Sequence, residues 1–218
     1  MAPRFPRAAD GEPACGHHVE EGRESDVNAA EILEVLETRG AVLRGHFVLS
    51  SGRHSDVFVQ KFRVFEDPRL TQRFGEAIAD SFAHDFDVVA SPAVGAILLG
   101  FATALAADVR MIFAEREEGS MRFRRGFELS PRERVLIVED VMTTGGSARE
   151  VVELVRASGG EPVGIGALLD REDPARFADL GVVQRALVSV DAPSWDATEC
   201  PLCAADEPLT DPGSRRLH

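Results

Sequence analysis

Basic residues are scarce in this sequence, and lysine is nearly absent. The 218 residues include 24 Lys and Arg against 37 Asp and Glu, which gives a formal net charge of −13. Lys61 is the single lysine, and every other basic residue is an arginine. So acidic a chain is a poor candidate for a general nucleic-acid binder or a polybasic membrane binder, because both need positive charge. A mechanism that depends on a lysine has one candidate.

Cysteine is also rare, and Cys15, Cys200 and Cys203 are too few for a disulfide framework. Cys200 and Cys203 have a spacing found in zinc sites, but a structural zinc ion needs four ligands. The residues that the sequence offers to complete such a site are Cys15, His17 and His18, all near the N-terminus. We therefore favour a reduced pair or a packing turn over bound zinc.

Two segments bear on export and membranes. Residues 1–26 contain no apolar core of the kind that a signal peptide has, so we expect a flexible polar leader and a cytoplasmic protein. Residues 88–107 carry no charge and are long enough to span a membrane. Because Ser91, Pro92 and Gly95 interrupt this segment, we expect a strand, a turn and a buried helix instead.

Hydrophobic residues make up 44% of the chain, enough for one domain with a sizeable core. Short apolar segments alternate with amphipathic ones, which is typical of an α/β fold with a parallel sheet flanked by helices. We expect this domain over residues 27–191, after the leader and before an irregular tail at 192–218. The predicted strands are 47–49, 57–59, 87–90, 109–113, 135–138, 163–169 and 186–190, and the predicted helices are 29–38, 68–83, 95–107 and 147–158.

Residues 114–134 break this alternation. The segment is rich in arginine and glutamate and is long for a loop in a compact domain, where such loops are often lids. We favour a mobile lid over a solvated hairpin. Its candidate anion-binding residues are Arg116, Arg122, Arg124 and Arg125.

The most informative segment is residues 135–147, where a buried strand leads into two carboxylates, a Thr-Thr-Gly-Gly-Ser turn and a helix. In open α/β sheets, ligands bind beyond the carboxyl ends of the strands. Glycines and free N–H groups at a helix start favour a phosphate, and carboxylates accept hydrogen bonds from sugar hydroxyls. The segment therefore predicts ribose at Glu139 and Asp140 and a 5′-phosphate in the turn, whereas each half alone would be an ordinary strand end or helix cap. Neither a Walker P-loop nor a dinucleotide-binding Gly-x-Gly-x-x-Gly pattern is present.

This segment resembles the phosphoribosyl-pyrophosphate (PRPP) signature of type I phosphoribosyltransferases. Five other segments are similar to orotate phosphoribosyltransferases in particular, and the likeness extends over residues 28–215. It implies a parallel sheet flanked by helices, with a small N-terminal hood and a mobile loop. The five segments are the hood at 45–55, the loop Ser91-Pro92-Ala93-Val94-Gly95, the pair Asp170-Arg171, and the subgroup features at 113–117 and 202–215.

The resemblance implies the conversion of orotate and PRPP to orotidine 5′-phosphate and pyrophosphate in pyrimidine synthesis. Mg²⁺ would be carried by PRPP, with a water bridge to Asp140 and no direct protein ligand. The resemblance also implies a homodimer in which the lid of one subunit crosses into the active site of the other. It implies no nucleic-acid or membrane partner. Orotate would contact Thr143 and Arg171, and Lys61 joins the lid arginines as a candidate for pyrophosphate. The PRPP-binding residues would be Glu139, Asp140, Val141, Met142, Thr143, Thr144, Gly145, Gly146 and Ser147.

The sequence departs from the family at two places. Many members have a lysine where Val94-Gly95 stands. Many also have lysines and a histidine in the mobile loop, whereas the only basic residues of this loop are arginines. Arginine neutralises pyrophosphate but does not release a proton near neutral pH, which weakens any general-acid role for the loop.

Several alternatives stay open at this point. The protein could use another base, although a neutral base offers Arg171 no carboxylate, or it could be a PRPP-sensing regulator without catalysis. Arg171 could instead form a salt bridge with Glu172 or Asp173. Lys61 could be a solvated residue on an edge strand.

Overall fold

The structure is a computed structural model, and it describes residues 28–49, 52–171 and 174–212. The expected leader and the candidate zinc ligands Cys15, His17 and His18 lie outside these residues. So do Glu172 and Asp173, the alternative partners of Arg171.

A six-stranded sheet forms the centre of the molecule. Its order is β5-β4-β3-β6-β7-β8, and every neighbouring pair is parallel except the antiparallel pair β4–β5. The central strands are continuous apolar runs because helices cover both of their faces. The strands are β3 Val88–Pro92, β4 Arg110–Glu117, β5 Ser120–Phe123, β6 Arg134–Met142, β7 Glu161–Asp170 and β8 Val183–Ser189.

Helices cover both faces, as the alternation predicts. Helices α1, α3 and α4 pack on one face, and α5 packs with the 3-10 helix Pro174–Leu180 on the other. Asn28 and Asp67 cap α1 and α3 by accepting hydrogen bonds from backbone N–H groups of the first turn. The helices are α1 Ala29–Thr38, α2 Phe62–Phe65, α3 Pro68–Ser81, α4 Ile97–Ala106, α5 Gly146–Ala157 and α6 Pro201–Ala204.

A second, four-stranded sheet forms the hood, and half of its strands come from the tail. Its order is β10-β1-β2-β9, with β1 Val42–Val48, β2 His54–Val59, β9 Ser194–Trp195 and β10 Leu209–Thr210. The expectation of an irregular tail is therefore wrong at Ser194–Trp195, Pro201–Ala204 and Leu209–Thr210, and the other described tail residues are irregular. Two-residue strands carry no readable alternation, so only their pairing with β1 and β2 identifies them.

The structure also corrects the expected long loop at 114–134. Strand β4 continues to Glu117 and turns back through Glu118 and Gly119 into β5, with positive φ at both turn residues. Such a turn matches the twist of a hairpin. Charged residues on both faces of the hairpin had hidden the strand alternation.

The uncharged segment at 88–107 is strand β3, a turn and helix α4, as expected. Within the described residues, no helix has the length and apolar character needed to cross a membrane.

Candidate active site

The order of the strands creates a crevice between β3 and β6. From β3 the chain passes through α4 to β4 on one side, whereas β6 leads through α5 to β7 on the other side. The connections after β3 and β6 therefore diverge to opposite faces of the sheet. Such a switch point is where open α/β sheets bind ligands. It is flanked by the loop 93–96 and by the turn 143–145.

Glu139 and Asp140 lie inside β6 rather than after it, and both side chains are buried, being 8% and 1% exposed. The backbone N–H of Val141 donates to Asp140 Oδ1 at 2.6 Å, and the N–H of Asp140 donates to Glu139 Oε1 at 3.0 Å. Burial and then the neighbouring Asp140 carboxylate raise the pKa of Glu139 well above its ordinary value, while Lys61 opposes the shift. A buried carboxyl group with a raised pKa, such as Glu139, next to a second carboxylate in a crevice is typical of a functional site.

Lys61 is the partner of Asp140. Its Nζ lies 2.6 Å from Asp140 Oδ2, and its side chain is 33% exposed. It follows β2 and immediately precedes α2, so it is not a solvated residue on an edge strand. A Cβ built on Gly95 would overlap both Asp140 Oδ2 and Lys61 Nζ. The loop after β3 can therefore pass this ion pair only because position 95 has no side chain.

The turn after β6 exposes the start of α5. Gly145 has a left-handed conformation, with φ of 74°, and no side chain caps the helix. Thr143, Thr144 and Gly146 are exposed, and Ser147 is half-buried. Backbone N–H groups at a helix start, together with hydroxyl donors, suit a phosphate.

Val141 and Met142 stay in the strand. The Met142 side chain is 1% exposed and belongs to the core, so only its backbone faces the rim.

Arg171 lies on the same rim. It follows β7, whose last residue Asp170 pairs with Met142 of β6, and its backbone N–H donates to the Met142 carbonyl at 3.0 Å. Its Nη2 donates to Ser55 Oγ at 3.2 Å and to the Ala192 carbonyl at 3.3 Å. Sequence reasoning missed Ser55 and Ala192, because no local pattern signals a contact across 116 positions.

The candidate lid arginines face carboxylates of the hairpin or of α5. Arg125 donates to both carboxylate oxygens of Glu115 at 2.8 Å and lowers the pKa of that carboxyl. Arg122 and Arg124 lie 3.5 Å and 3.3 Å from Glu117 carboxylate oxygens.

Arg116 ties the hairpin to helix α5, which begins after the turn at 143–145. Its guanidinium group pairs with Glu150 at 2.7 Å, and Glu150 lies in the first turns of α5. The structure thus places the hairpin next to the proposed phosphate site, while each of the four guanidinium groups is engaged by a carboxylate.

Comparison with known proteins decides the family. The phosphoribosyl transferase domain matches residues 63–184. An orotate phosphoribosyltransferase of Caldanaerobacter subterraneus subsp. tengcongensis is 45% identical over 188 residues, which cover 86% of this chain and 98% of the relative. The chain belongs to the orotate phosphoribosyltransferase family.

Solved orotate phosphoribosyltransferases share this fold. The crystal structure of the enzyme from Aeropyrum pernix has a TM-score of 0.62 and 28% identity, covering 73% of this chain and 93% of that one. The Mycobacterium tuberculosis H37Rv enzyme in complex with PRPP has a TM-score of 0.58 and 27% identity, covering 74% and 95%. The resemblance inferred from residues 135–147 and the hood, and the fold class it implied, are confirmed.

Proposed function

We propose that the crevice between β3 and β6 joins orotate to PRPP, with pyrophosphate as the leaving group. The chain is an orotate phosphoribosyltransferase by family, a pentosyltransferase of pyrimidine biosynthesis. The observation that carries the site assignment is the meeting of two buried carboxylates, an uncapped helix start and Arg171 on one rim.

The 5′-phosphate of PRPP binds at the turn between β6 and α5. Backbone N–H groups of residues 144–147 and the hydroxyls of Thr143, Thr144 and Ser147 are its proposed donors. The left-handed Gly145 shapes the turn, and the partial positive charge of the helix start favours the dianion.

The ribose hydroxyls bind at Glu139 and Asp140. Both oxygens of Asp140 already have partners, the Val141 N–H and the Lys61 ammonium group. A hard cation such as Mg²⁺ prefers oxygen ligands, so carboxylates fit it, but these contacts favour a water-mediated role for Asp140 over direct ligation. Carried by PRPP, Mg²⁺ would neutralise charge that develops on the pyrophosphate.

Orotate binds with its carboxylate at Arg171 and with Thr143 beside it. The contacts to Ser55 and Ala192 fix the plane of the guanidinium group, so its orientation is set before orotate arrives. A planar guanidinium pairs with a carboxylate at a defined orientation, which holds the nucleophile near the ribose.

The hairpin supplies positive charge for pyrophosphate when it closes. Closure would exchange the Glu115 and Glu117 partners of Arg122, Arg124 and Arg125 for pyrophosphate oxygens, with Arg116 near the hinge and Lys61 at the floor. Exclusion of water would protect the cationic ribose from hydrolysis. The proposal includes a homodimer in which the lid serves the neighbouring site, working in the cytoplasm.

The test is an assay of pyrophosphate release from PRPP with orotate, uracil, adenine and hypoxanthine. We expect turnover with orotate and at least a hundredfold lower kcat/KM with each neutral base. Equal turnover with a neutral base would contradict the role of Arg171. In the same assay Asp140→Asn should lose about 10- to 100-fold in kcat/KM, since a hydrogen bond to a charged group contributes about 1.5–3 kcal/mol.

A further inference from the structure

Four metal-binding side chains converge outside the active site. His46 comes from β1, His54 from β2, Cys200 immediately precedes α6, and Cys203 lies in that helix. Their ligand atoms all lie within 4.8 Å of one another. These histidines are not among the N-terminal residues that the sequence suggested as partners of the two cysteines. The two histidines lie about 150 residues before them, and folding of the hood brings the four together.

Four of the six distances between these atoms are close to the edges of a tetrahedral zinc site, and all six are within 4.8 Å. Zn–N bonds of about 2.05 Å and Zn–S bonds of about 2.3 Å place two nitrogens about 3.3 Å apart, and a nitrogen and a sulfur about 3.6 Å apart. His46 Nε2 and His54 Nδ1 are 3.0 Å apart. The nitrogen–sulfur distances are 3.5 Å and 3.7 Å from His46 Nε2, and 3.3 Å from His54 Nδ1 to Cys203 Sγ.

Hydrogen bonding alone does not account for this convergence. His46 Nδ1 lies 2.9 Å from the Glu207 carbonyl, which accepts and cannot donate, so this nitrogen carries the proton. In the neutral ring, Nε2 is then an acceptor with one in-plane lone pair. Three groups approach that lone pair, namely His54 Nδ1, Cys200 Sγ and Cys203 Sγ. One lone pair serves one of them well, whereas a cation at the centre satisfies all four ligands.

The Glu207 contact is also the support that metal-binding histidines usually have. A ligating imidazole commonly donates its second N–H to a carbonyl or carboxylate, which fixes the tautomer and the ring orientation. Here that bond leaves Nε2 aimed at His54 and the two cysteines. His46, His54 and Cys200 are 5%, 6% and 3% exposed, and Cys203 is exposed and offers an entry path.

We propose that His46, His54, Cys200 and Cys203 bind a structural Zn²⁺ ion. Two thiolates and two neutral imidazoles balance the charge of a divalent cation, so the buried site is neutral overall. A closed S₂N₂ set with four protein ligands is typical of structural zinc, and it leaves no open position for a substrate.

The ion would fasten the tail to the hood. The strands β9 and β10 have two residues each and pair with β2 and β1, which is too little pairing to hold a segment by itself. His54 also precedes Ser55, whose hydroxyl contacts Arg171. Zinc would therefore stabilise the sheet against which Arg171 is placed. The zinc assignment is independent of the proposed function.

The first test measures bound metal in the full chain, purified without chelator, in a Cys15→Ser background that removes the remaining cysteine. We expect about one zinc per chain by plasma mass spectrometry. His46→Ala and Cys203→Ser should each retain at least tenfold less zinc after dialysis. The matched control is His84→Ala, because His84 is an exposed histidine that pairs with Asp80 and is not one of the four clustered residues, so this variant should keep its zinc.

The second test does not depend on whether the variants fold. The Cys15→Ser protein is stripped with a strong chelator and titrated with Co²⁺, and we expect the thiolate-to-cobalt absorption and visible bands of a tetrahedral site at one equivalent. Cys203 is exposed, so its reaction with a thiol reagent should slow at least tenfold when Zn²⁺ is restored. Less than about one-tenth zinc per chain together with no cobalt bands would overturn the proposal. That result would leave a reduced, hydrogen-bonded cluster, and orotate turnover, measured separately, reports on the proposed function.

Discussion

The single lysine of the chain forms an ion pair with the most buried carboxylate of the crevice. Lys61 Nζ lies 2.6 Å from Asp140 Oδ2, with side-chain exposures of 33% and 1%. Lys61 comes from the hood and Asp140 from the central strand, so the pair joins the two sheets at the site. A charge as deeply buried as Asp140 needs such a partner.

Removal of Lys61 should therefore affect both stability and activity. Breaking a fully buried ion pair costs about 3–5 kcal/mol, but Lys61 is one-third exposed and water screens the remaining charge, so we expect about 1–2 kcal/mol for Lys61→Met. We also expect kcat/KM to fall by about tenfold or more, because the ribose-binding carboxylate loses its orientation. Urea unfolding and steady-state kinetics measure the two effects.

The matched control for Lys61→Met is Arg63→Met. Arg63 is close in sequence, but its pair with Glu66 is exposed on both sides. We expect its unfolding free energy to change by less than about 0.5 kcal/mol, with unchanged kinetics. Equal effects of the two substitutions would contradict a specific role for the Lys61–Asp140 pair.

The hairpin arginines should matter for catalysis and little for stability. Replacing Arg122, Arg124 and Arg125 together by alanine removes exposed ion pairs, each contributing about 0–1 kcal/mol to folding. We expect kcat to fall by about a hundredfold or more, because the pyrophosphate leaving group loses the guanidinium charge that is proposed to neutralise it. Arg44→Ala, which breaks the exposed pair between Arg44 of β1 and Glu37 of α1, is the control and should leave kcat unchanged. Full turnover of the triple variant would show that the segment is a solvated hairpin.

Arg171 should discriminate between the two substrates. Arg171→Ala should impair orotate use by about 2–4 kcal/mol, or roughly 30- to 1000-fold in kcat/KM, while PRPP affinity measured alone barely changes. Ser55→Ala is the control for the structural contact, because it removes the hydroxyl that Arg171 touches and keeps the guanidinium charge. Equal losses for orotate and PRPP, reproduced by Ser55→Ala, would show that Arg171 mainly holds the hood in place.

Glu139 should make stability depend on pH in a definite direction. Burial and the Asp140 charge raise its folded-state pKa, whereas a glutamate in the unfolded chain titrates near about 4.3. Between these two pKa values Glu139 is protonated in the folded protein and ionised in the unfolded chain. Its contribution to the free energy of unfolding is therefore fully present below the unfolded pKa, and it is lost as pH rises through the folded pKa.

Glu139→Gln removes this titration. We expect the variant to exceed the parent in unfolding free energy at neutral pH, with the difference shrinking toward zero below about pH 4. Urea unfolding across a pH series measures it, and the exposed Glu34→Gln should show no such trend. A difference between Glu139→Gln and the parent that does not vary with pH would contradict the raised pKa.

Features that lie within short stretches of chain could be predicted from the order of the residues alone. Residues 135–147 contain, without a break, the apolar part of β6, its two carboxylates and the turn at Gly145. A strand, a turn and a candidate phosphate site could therefore be predicted from this one segment. The same holds for α1, whose cap Asn28 accepts from the Glu31 N–H as the capping pattern predicts. The strand–helix alternation gave the fold class for the same reason.

Contacts between distant residues become visible in the folded protein. Lys61 reaches Asp140, and His46 and His54 reach Cys200 and Cys203, because the hood folds over the sheet and the tail returns to its edges. The strands β9 and β10 exist through their partners, since two residues have no pattern of their own. Such contacts depend on how the layers of the fold pack. A local sequence pattern indicates which face of a segment is buried, but it does not indicate which other segment packs against that face.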